Sequence, residues 1–184
     1  MPLSWQVNLA LVLDGSGSIS ASEFAEEQDF AKDAVNAFAN RNLFDNGGTA
    51  SYVQYSSALV SSDSFGSAQL FNAFVDNDVQ ASAGTTTSVG IDEGTRLLGI
   101  NPATASFMIV ITDGQSSSIT ATTAAADAAR AENIVVFAVG VGEFAASNGR
   151  SCFYCVCGIA VSTLSPARVF VAMSFNLALR NWAS

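Results

Sequence analysis

The sequence predicts an α/β fold, a mainly parallel sheet covered by helices on both faces, and three observations carry that reading. Apolar runs at Val7–Leu13, Phe107–Thr112 and Ile134–Val139 show no polar alternation, as strands buried on both faces do. Segments of helical spacing fall between them. The first two runs both end in Asp-Gly, at Asp14-Gly15 and Asp113-Gly114. If those runs are parallel strands of one sheet, both carboxylates emerge at the same edge, where open α/β sheets bind ligands.

Each element follows in order. After the first strand, Ser20 and Glu23 form a capping box, and Phe24, Gln28, Ala31, Val35, Phe38 and Ala39 recur at helical spacing, which predicts an amphipathic helix over 21–41. Asn46-Gly47-Gly48 is a turn. Ala50 to Ser56 alternates as a strand does, with Ala58–Ser62 as a short hairpin partner. Ala68 to Val75 reads as a helix, and 82–88 as a polar loop. Val89, Ile91, Leu97 and Leu98 lie on a helix ending near Gly99, with Pro102 beyond it. A strand at 106–112, an alanine-rich helix from Thr120 to Glu132 and the buried strand from Ile134 follow. The last segment offers a strand at Ala167–Val171 and a short helix at Leu177–Trp182. No repeat, linker or low-complexity tract interrupts the chain, so residues 1–184 are expected to form a single domain.

Composition narrows the function. With 49% hydrophobic and 12% charged residues the chain can build a real core. The net charge is −9 and Lys32 is the single lysine, which argues against a basic surface for nucleic acid or anionic membranes. No apolar run reaches the ~18 residues that span a bilayer, and Met1–Trp5 has no signal-peptide character, so the chain reads as a domain cut from something longer or as a mature fragment. There is no histidine, which removes Ser-His-Asp and Cys-His catalysis and histidine-ligated zinc.

The candidate site is assembled from three segments. Asp14, Ser16 and Ser18 stand on the loop after the first strand, where Gly15 and Gly17 let alternate side chains converge. Thr85 comes from the polar loop and Asp113 from the end of another strand. An Asp-Gly after a strand is by itself most often a turn, and a Ser before a helix most often a cap. Five such positions together make a donor set of two carboxylates and three hydroxyls, all oxygen. That set suits a hard divalent cation: Mg²⁺ first, with Mn²⁺ or Ca²⁺ as alternatives, since calcium usually recruits more carboxylates and carbonyls. Few carboxylates leave the ion net positive charge and an exchangeable position, open to a carboxylate from a partner.

The pattern Asp14-x-Ser16-x-Ser18, a Thr in Gly84-Thr85-x-Thr87 and Thr112-Asp113-Gly114 resembles the von Willebrand factor A domain, also called the integrin I domain. Leu11–Ile19, Val110–Gly114 and Phe137–Gly142 match closely, and the resemblance runs from about Gln6 to about Leu179. It implies a doubly wound, Rossmann-like, mainly parallel six-stranded sheet with one antiparallel edge strand. It also implies that Asp14, Ser16, Ser18, Thr85 and Asp113 form a metal-ion-dependent adhesion site, Thr85 being chosen over Thr86 and Thr87 by its spacing to Gly90 and Ile91. The implied function is non-enzymatic adhesion at the cell surface or outside the cell, with an Asp or Glu of a protein partner, or a glycan, completing the metal shell. The chain departs from the family's pattern over Ser151–Ala160 and in its short final helix, so the helix movement of signalling members is not carried over.

Other signals are weaker. Cys152, Cys155 and Cys157 lack the fourth ligand of a zinc site, which favours a local disulfide or buried thiols. Gly140-x-Gly142 lacks the third glycine of a dinucleotide loop. Phe24, Phe38, Phe107 and Phe137 read as core. The rival functional reading is an intracellular or structural scaffold module in a multiprotein assembly. Hydrolysis at the metal has little behind it, because no general base stands apart from the metal-binding carboxylates.

Overall fold

The apolar run predicted first is the central strand of the sheet. In a computed structural model, which describes residues 6–99, 104–113 and 116–141 together with the backbone of 160–162 and 169–173, β1 (Val7–Asp14) pairs in parallel with two strands. On one side is β2 (Thr49–Tyr55), with Leu11 opposite Tyr52; on the other is β4 (Ala105–Thr112), with Leu13 opposite Ile111. β3 (Leu59–Phe65) adds antiparallel to β2, and β5 (Val135–Val141) adds parallel to β4. Beyond β5 the sheet continues through β7 (Val169–Met173) to β6 (Ala160–Ser162), giving the order β3-β2-β1-β4-β5-β7-β6.

The α/β class and the antiparallel edge strand β3 are as expected; the strand count is not. Among the described residues the sheet has seven strands where six are expected, and β7 runs antiparallel to β5. The additional strand, β6, has three residues, too few for any period to register. The direction of β7 is set by the connection that delivers it, which an apolar run does not encode. The final strand lies at Val169–Met173 rather than 167–171. The helix expected at 177–182, the cysteine cluster and Gly114 lie outside the described residues.

Among the described residues four helices cover the two faces. α1 (Ala21–Ala39) starts on the predicted capping box: the Glu23 amide donates to Ser20 Oγ at 3.3 Å, and the Ser20 amide donates to Glu23 Oε2 at 2.9 Å. With α2 (Ala68–Val75) it buries the odd-numbered face of β1, where Leu9, Leu11 and Leu13 meet Phe24, Ala31, Val35, Phe71 and Val75. α3 (Thr87–Leu98) and α4 (Ile119–Ala131) bury the even face, where Ala10 and Val12 meet Ile91, Leu98, Ala125, Ala126 and Ala129. Each large apolar side chain sealed this way contributes about 1.5–3 kcal/mol. α3 packs very close to the sheet: a Cβ on Gly90 would stand 2.5 Å from Tyr55 Cδ1 and 2.7 Å from Val12 Cγ1. Because β1 has β2 on one side and β4 on the other, the winding reverses between β1 and β4. Asp14 and Asp113 sit at the carboxyl end of that switch point.

Candidate metal centre

Asp14 is the last residue of β1 and is fully buried. Both of its carboxylate oxygens are oriented: the Ser16 amide donates to Oδ1 at 3.0 Å, and Thr112 Oγ1, from the end of β4, donates to Oδ2 at 2.7 Å. Burial pushes the Asp14 carboxyl above its ordinary pKa; the hydrogen bonds from Thr112 and Ser16 pull it back part of the way, and the neighbouring Asp113 pushes it up again. A cation at this carboxylate would offset the cost of desolvation and the repulsion at once.

The hydroxyls of Ser16, buried, and Ser18, exposed, stand 3.0 Å apart, so the alternate positions of the loop do converge. Gly15 is required by a close approach: a Cβ there would meet Gln54 Oε1 at 2.4 Å. The loop is stitched to the segment before α3. The Gly17 amide donates to the Ala83 carbonyl at 2.7 Å, the Ser82 amide to the Gly15 carbonyl at 2.8 Å, and Ser16 and Ala83 form a parallel bridge. Gln80 Nε2 donates to the carbonyls of both Ser16 and Ile19, at 2.9 and 2.8 Å. Below it, the Asp78 carboxylate accepts from Tyr52 Oη at 2.7 Å, Ser61 Oγ at 2.8 Å and Gln54 Nε2, which pins this segment to the sheet edge.

Thr85 is half-buried in the same segment, and its carbonyl accepts from the amide of Ser117 at 2.7 Å and from the Ser117 hydroxyl. That bond ties the Thr85 loop to the segment after β4, which begins with Asp113. The adjacent threonines are placed differently. Thr86 is the N-cap residue of α3, and Thr87 is buried, its Oγ1 accepting from Tyr55 Oη at 3.4 Å. Three loops separated by many residues are thus joined by hydrogen bonds at one sheet edge, and all five predicted positions belong to them.

Two further residues are not singled out by the sequence pattern. Thr112 was part of a motif without a role of its own. Glu27, and not the expected Gln28, belongs to the buried stripe of α1, which runs Phe24, Glu27, Ala31, Val35; Gln28 lies partly exposed and donates to the carbonyls of Val75 and Asp78, both at 3.1 Å. The spacing of Glu27 from Phe24 and Ala31 was the available signal.

The donors fit a hard cation: carboxylate and hydroxyl oxygens, with no thiolate or imidazole in the set. Among the described residues no three His, Cys, Asp or Glu side chains are already clustered as a metal cage, so hydroxyls and water would have to share the ion with the carboxylates.

A doubly wound sheet carrying an Asp-x-Ser-x-Ser loop at its switch point defines a class of α/β binding module, and comparison with known proteins places the chain within it. The model of the von Willebrand factor type A domain matches residues 8–152, and the chain belongs to that family of protein-interaction modules. The collagen alpha-4(VI) chain of Mus musculus is 31% identical over 150 residues, covering 75% of this chain and 6% of the collagen chain. Among solved structures, proximal thread matrix protein 1 from the mussel byssus has a TM-score of 0.66 at 22% identity, covering 76% of this chain and 38% of that one. The pilus adhesin SpaC from Lactobacillus rhamnosus GG has a TM-score of 0.61 at 18% identity, covering 77% and 25%. The mussel protein is also known with a zinc-occupied MIDAS motif, at a TM-score of 0.65 over 76% of this chain and 39% of that one. These likenesses establish the fold, and this chain spans only a fraction of each relative.

Proposed function

We propose that this domain is a non-enzymatic, cation-dependent binding module. Asp14, Ser16, Ser18, Thr85 and Asp113 hold one divalent cation, Mg²⁺ in the first place and Mn²⁺ or Ca²⁺ as substitutes, and an acidic side chain of a protein partner completes its shell. The carrying observation is the double orientation of the Asp14 carboxylate by the Ser16 amide and the Thr112 hydroxyl, with the Ser16 and Ser18 hydroxyls 3.0 Å apart beside it. Both oxygens of this buried carboxylate are thereby held in fixed directions at the sheet edge. When bound, the ion supplies a positive charge with an open coordination position. The protein residues hold it at the carboxyl edge of the sheet, where a partner can reach it.

A setting outside the cell is supported by kinship with a collagen chain and by structural likeness to a thread matrix protein and a pilus adhesin. The direct test is calorimetric titration of the domain with Mg²⁺ and Mn²⁺, followed by an Asp-containing peptide, before and after EDTA. Saturable cation binding that Asp14→Ala abolishes, with peptide binding only when the ion is present, is the expected result. Peptide binding that survives EDTA would sink the reading.

A further inference from the structure

Glu27 is the one residue of the buried α1 stripe that packing does not explain. It is 0% exposed between Phe24 and Ala31, on the helix face that covers β1. Among the described residues neither carboxylate oxygen has a hydrogen-bond partner, although the backbone N–H of Asp14 lies beside the group and relieves a little of its cost. Among the described residues, the charges that act on it most are the carboxylates of Asp14, Asp113 and Glu23. A buried polar group left in this state costs far more than an apolar side chain of the same length, and asks for an occupant that the protein alone does not supply.

We propose that Glu27 is a further member of the cation site, a carboxylate that faces the ion from the protein interior and acts on it through water rather than by a direct bond. The inference rests on the reading that Asp14 and its neighbours hold a divalent cation. Among the described residues no three acidic side chains form a ready-made cage, so the role assigned to Glu27 is one exerted through water and not by a direct bond. The chemistry follows from charge. A charged Glu27 would repel Asp14 and Asp113, and a divalent ion among the three would turn each repulsion into attraction. Glu27 is then a positioning and affinity residue: it makes the ion hold more tightly than two carboxylates and three hydroxyls would by themselves.

The experiment is Mn²⁺ titration by calorimetry on the 184-residue chain, comparing wild type with Glu27→Gln, Glu27→Met and Asp14→Ala. Thermal melting of each protein in EDTA runs alongside. Glu27→Gln keeps the shape of the side chain, and Glu27→Met suits the apolar surround if the amide does not fold. Both variants should melt in EDTA at or above the wild-type temperature, since an unpaired buried carboxyl has been removed, yet bind Mn²⁺ about tenfold more weakly. A purely structural role predicts the opposite pair, a lower melting temperature with unchanged affinity. A loss of affinity of about threefold or more in a folded variant supports the proposal, and a smaller one overturns it. The Asp14→Ala arm separates the two levels. If it binds Mn²⁺ as wild type does, the site reading itself has failed. If it loses the ion while Glu27→Gln keeps it, only the role of Glu27 has failed.

Discussion

The hydroxyl of Thr112 donates to Asp14 Oδ2 at 2.7 Å across the junction between β1 and β4, two strands whose residues here are 98 positions apart in sequence. This bond fixes one carboxylate oxygen, and the amide of Ser16 fixes the other. Replacing Thr112 by Val keeps the shape and removes the donor. It should cost about 1–3 kcal/mol of folding stability through the buried acceptor left unpaired. On the proposed function it should also weaken Mn²⁺ binding by about tenfold or more, the loss expected when a metal ligand is deprived of an orienting partner. Urea unfolding and Mn²⁺ titration measure the two effects separately, and an unchanged affinity would remove Thr112 from the site.

Gln80 makes a different prediction. Its amide spans the carbonyls of Ser16 and Ile19, so it grips the Asp-x-Ser-x-Ser loop from outside the core. Gln80→Ala should lower global stability by only about 1 kcal/mol, while the amide of Gly17, bonded to Ala83, exchanges its proton faster. Hydrogen exchange resolved at Gly17 and Ser82 checks this, and unchanged protection there would show that the backbone bridge alone holds the loop.

Gly90 is where α3 comes nearest the sheet. Gly90→Ala would press its new carbon against Tyr55 and Val12, both fully buried, so neither ring nor branch can give way without moving β1 or β2. The overpacking should cost about 1–3 kcal/mol in spite of the better helix propensity of alanine. A denaturation curve that moves toward greater stability would contradict the close approach.

A pH effect is expected at Glu93, on α3. Its carboxylate accepts from Arg96 Nε at 2.6 Å, from the same guanidinium's Nη2 at 2.7 Å and from Ser62 Oγ on β3 at 2.6 Å. The Arg96 guanidinium holds this carboxyl below its ordinary value of 4.5, more than burial raises it. The stability it contributes is therefore fully present above that ordinary value and fades as pH falls through the lowered one. Glu93→Gln should cost less than about 1 kcal/mol near neutrality, since the arginine is exposed to solvent. The difference from wild type should vanish in acid. Urea midpoints for the two proteins across the acid range read this directly, and a difference that grows in acid would be the wrong sign.

Much of this architecture is legible in the chain. The strands buried on both faces lack polar alternation, and the alternating β2 was also found. The capping box at Ser20 and Glu23 set the start of α1, and the limits of α2 were read to the residue. Two kinds of information were not available. A helical wheel alone does not separate Glu27 from Gln28, because neighbouring positions differ by about 100° and the polar class of both invites the exposed face. The structure settles it by burying Glu27 under β1. Likewise, Thr112 looks like one more β-branched strand residue until the register of β4 on β1 brings its hydroxyl to Asp14. Contacts across the sheet, rather than local pattern, decide such positions.

The stitching of the three loops also bears on how the chain is made. Asp14 is synthesised early, yet the hydroxyl that orients it and its companion Asp113 come about a hundred residues later, on a strand that docks parallel to β1 through a long crossover. Parallel pairings of such separation close slowly, because the loop entropy is spent before the contact repays it. A nascent chain that has emerged only as far as α3 has the Asp-x-Ser-x-Ser loop but neither Thr112 nor Asp113 beside it. On the proposed function, ion capture at this edge would wait until β4 has docked, and the cation would arrive as a latch on a finished sheet rather than as a seed for its assembly.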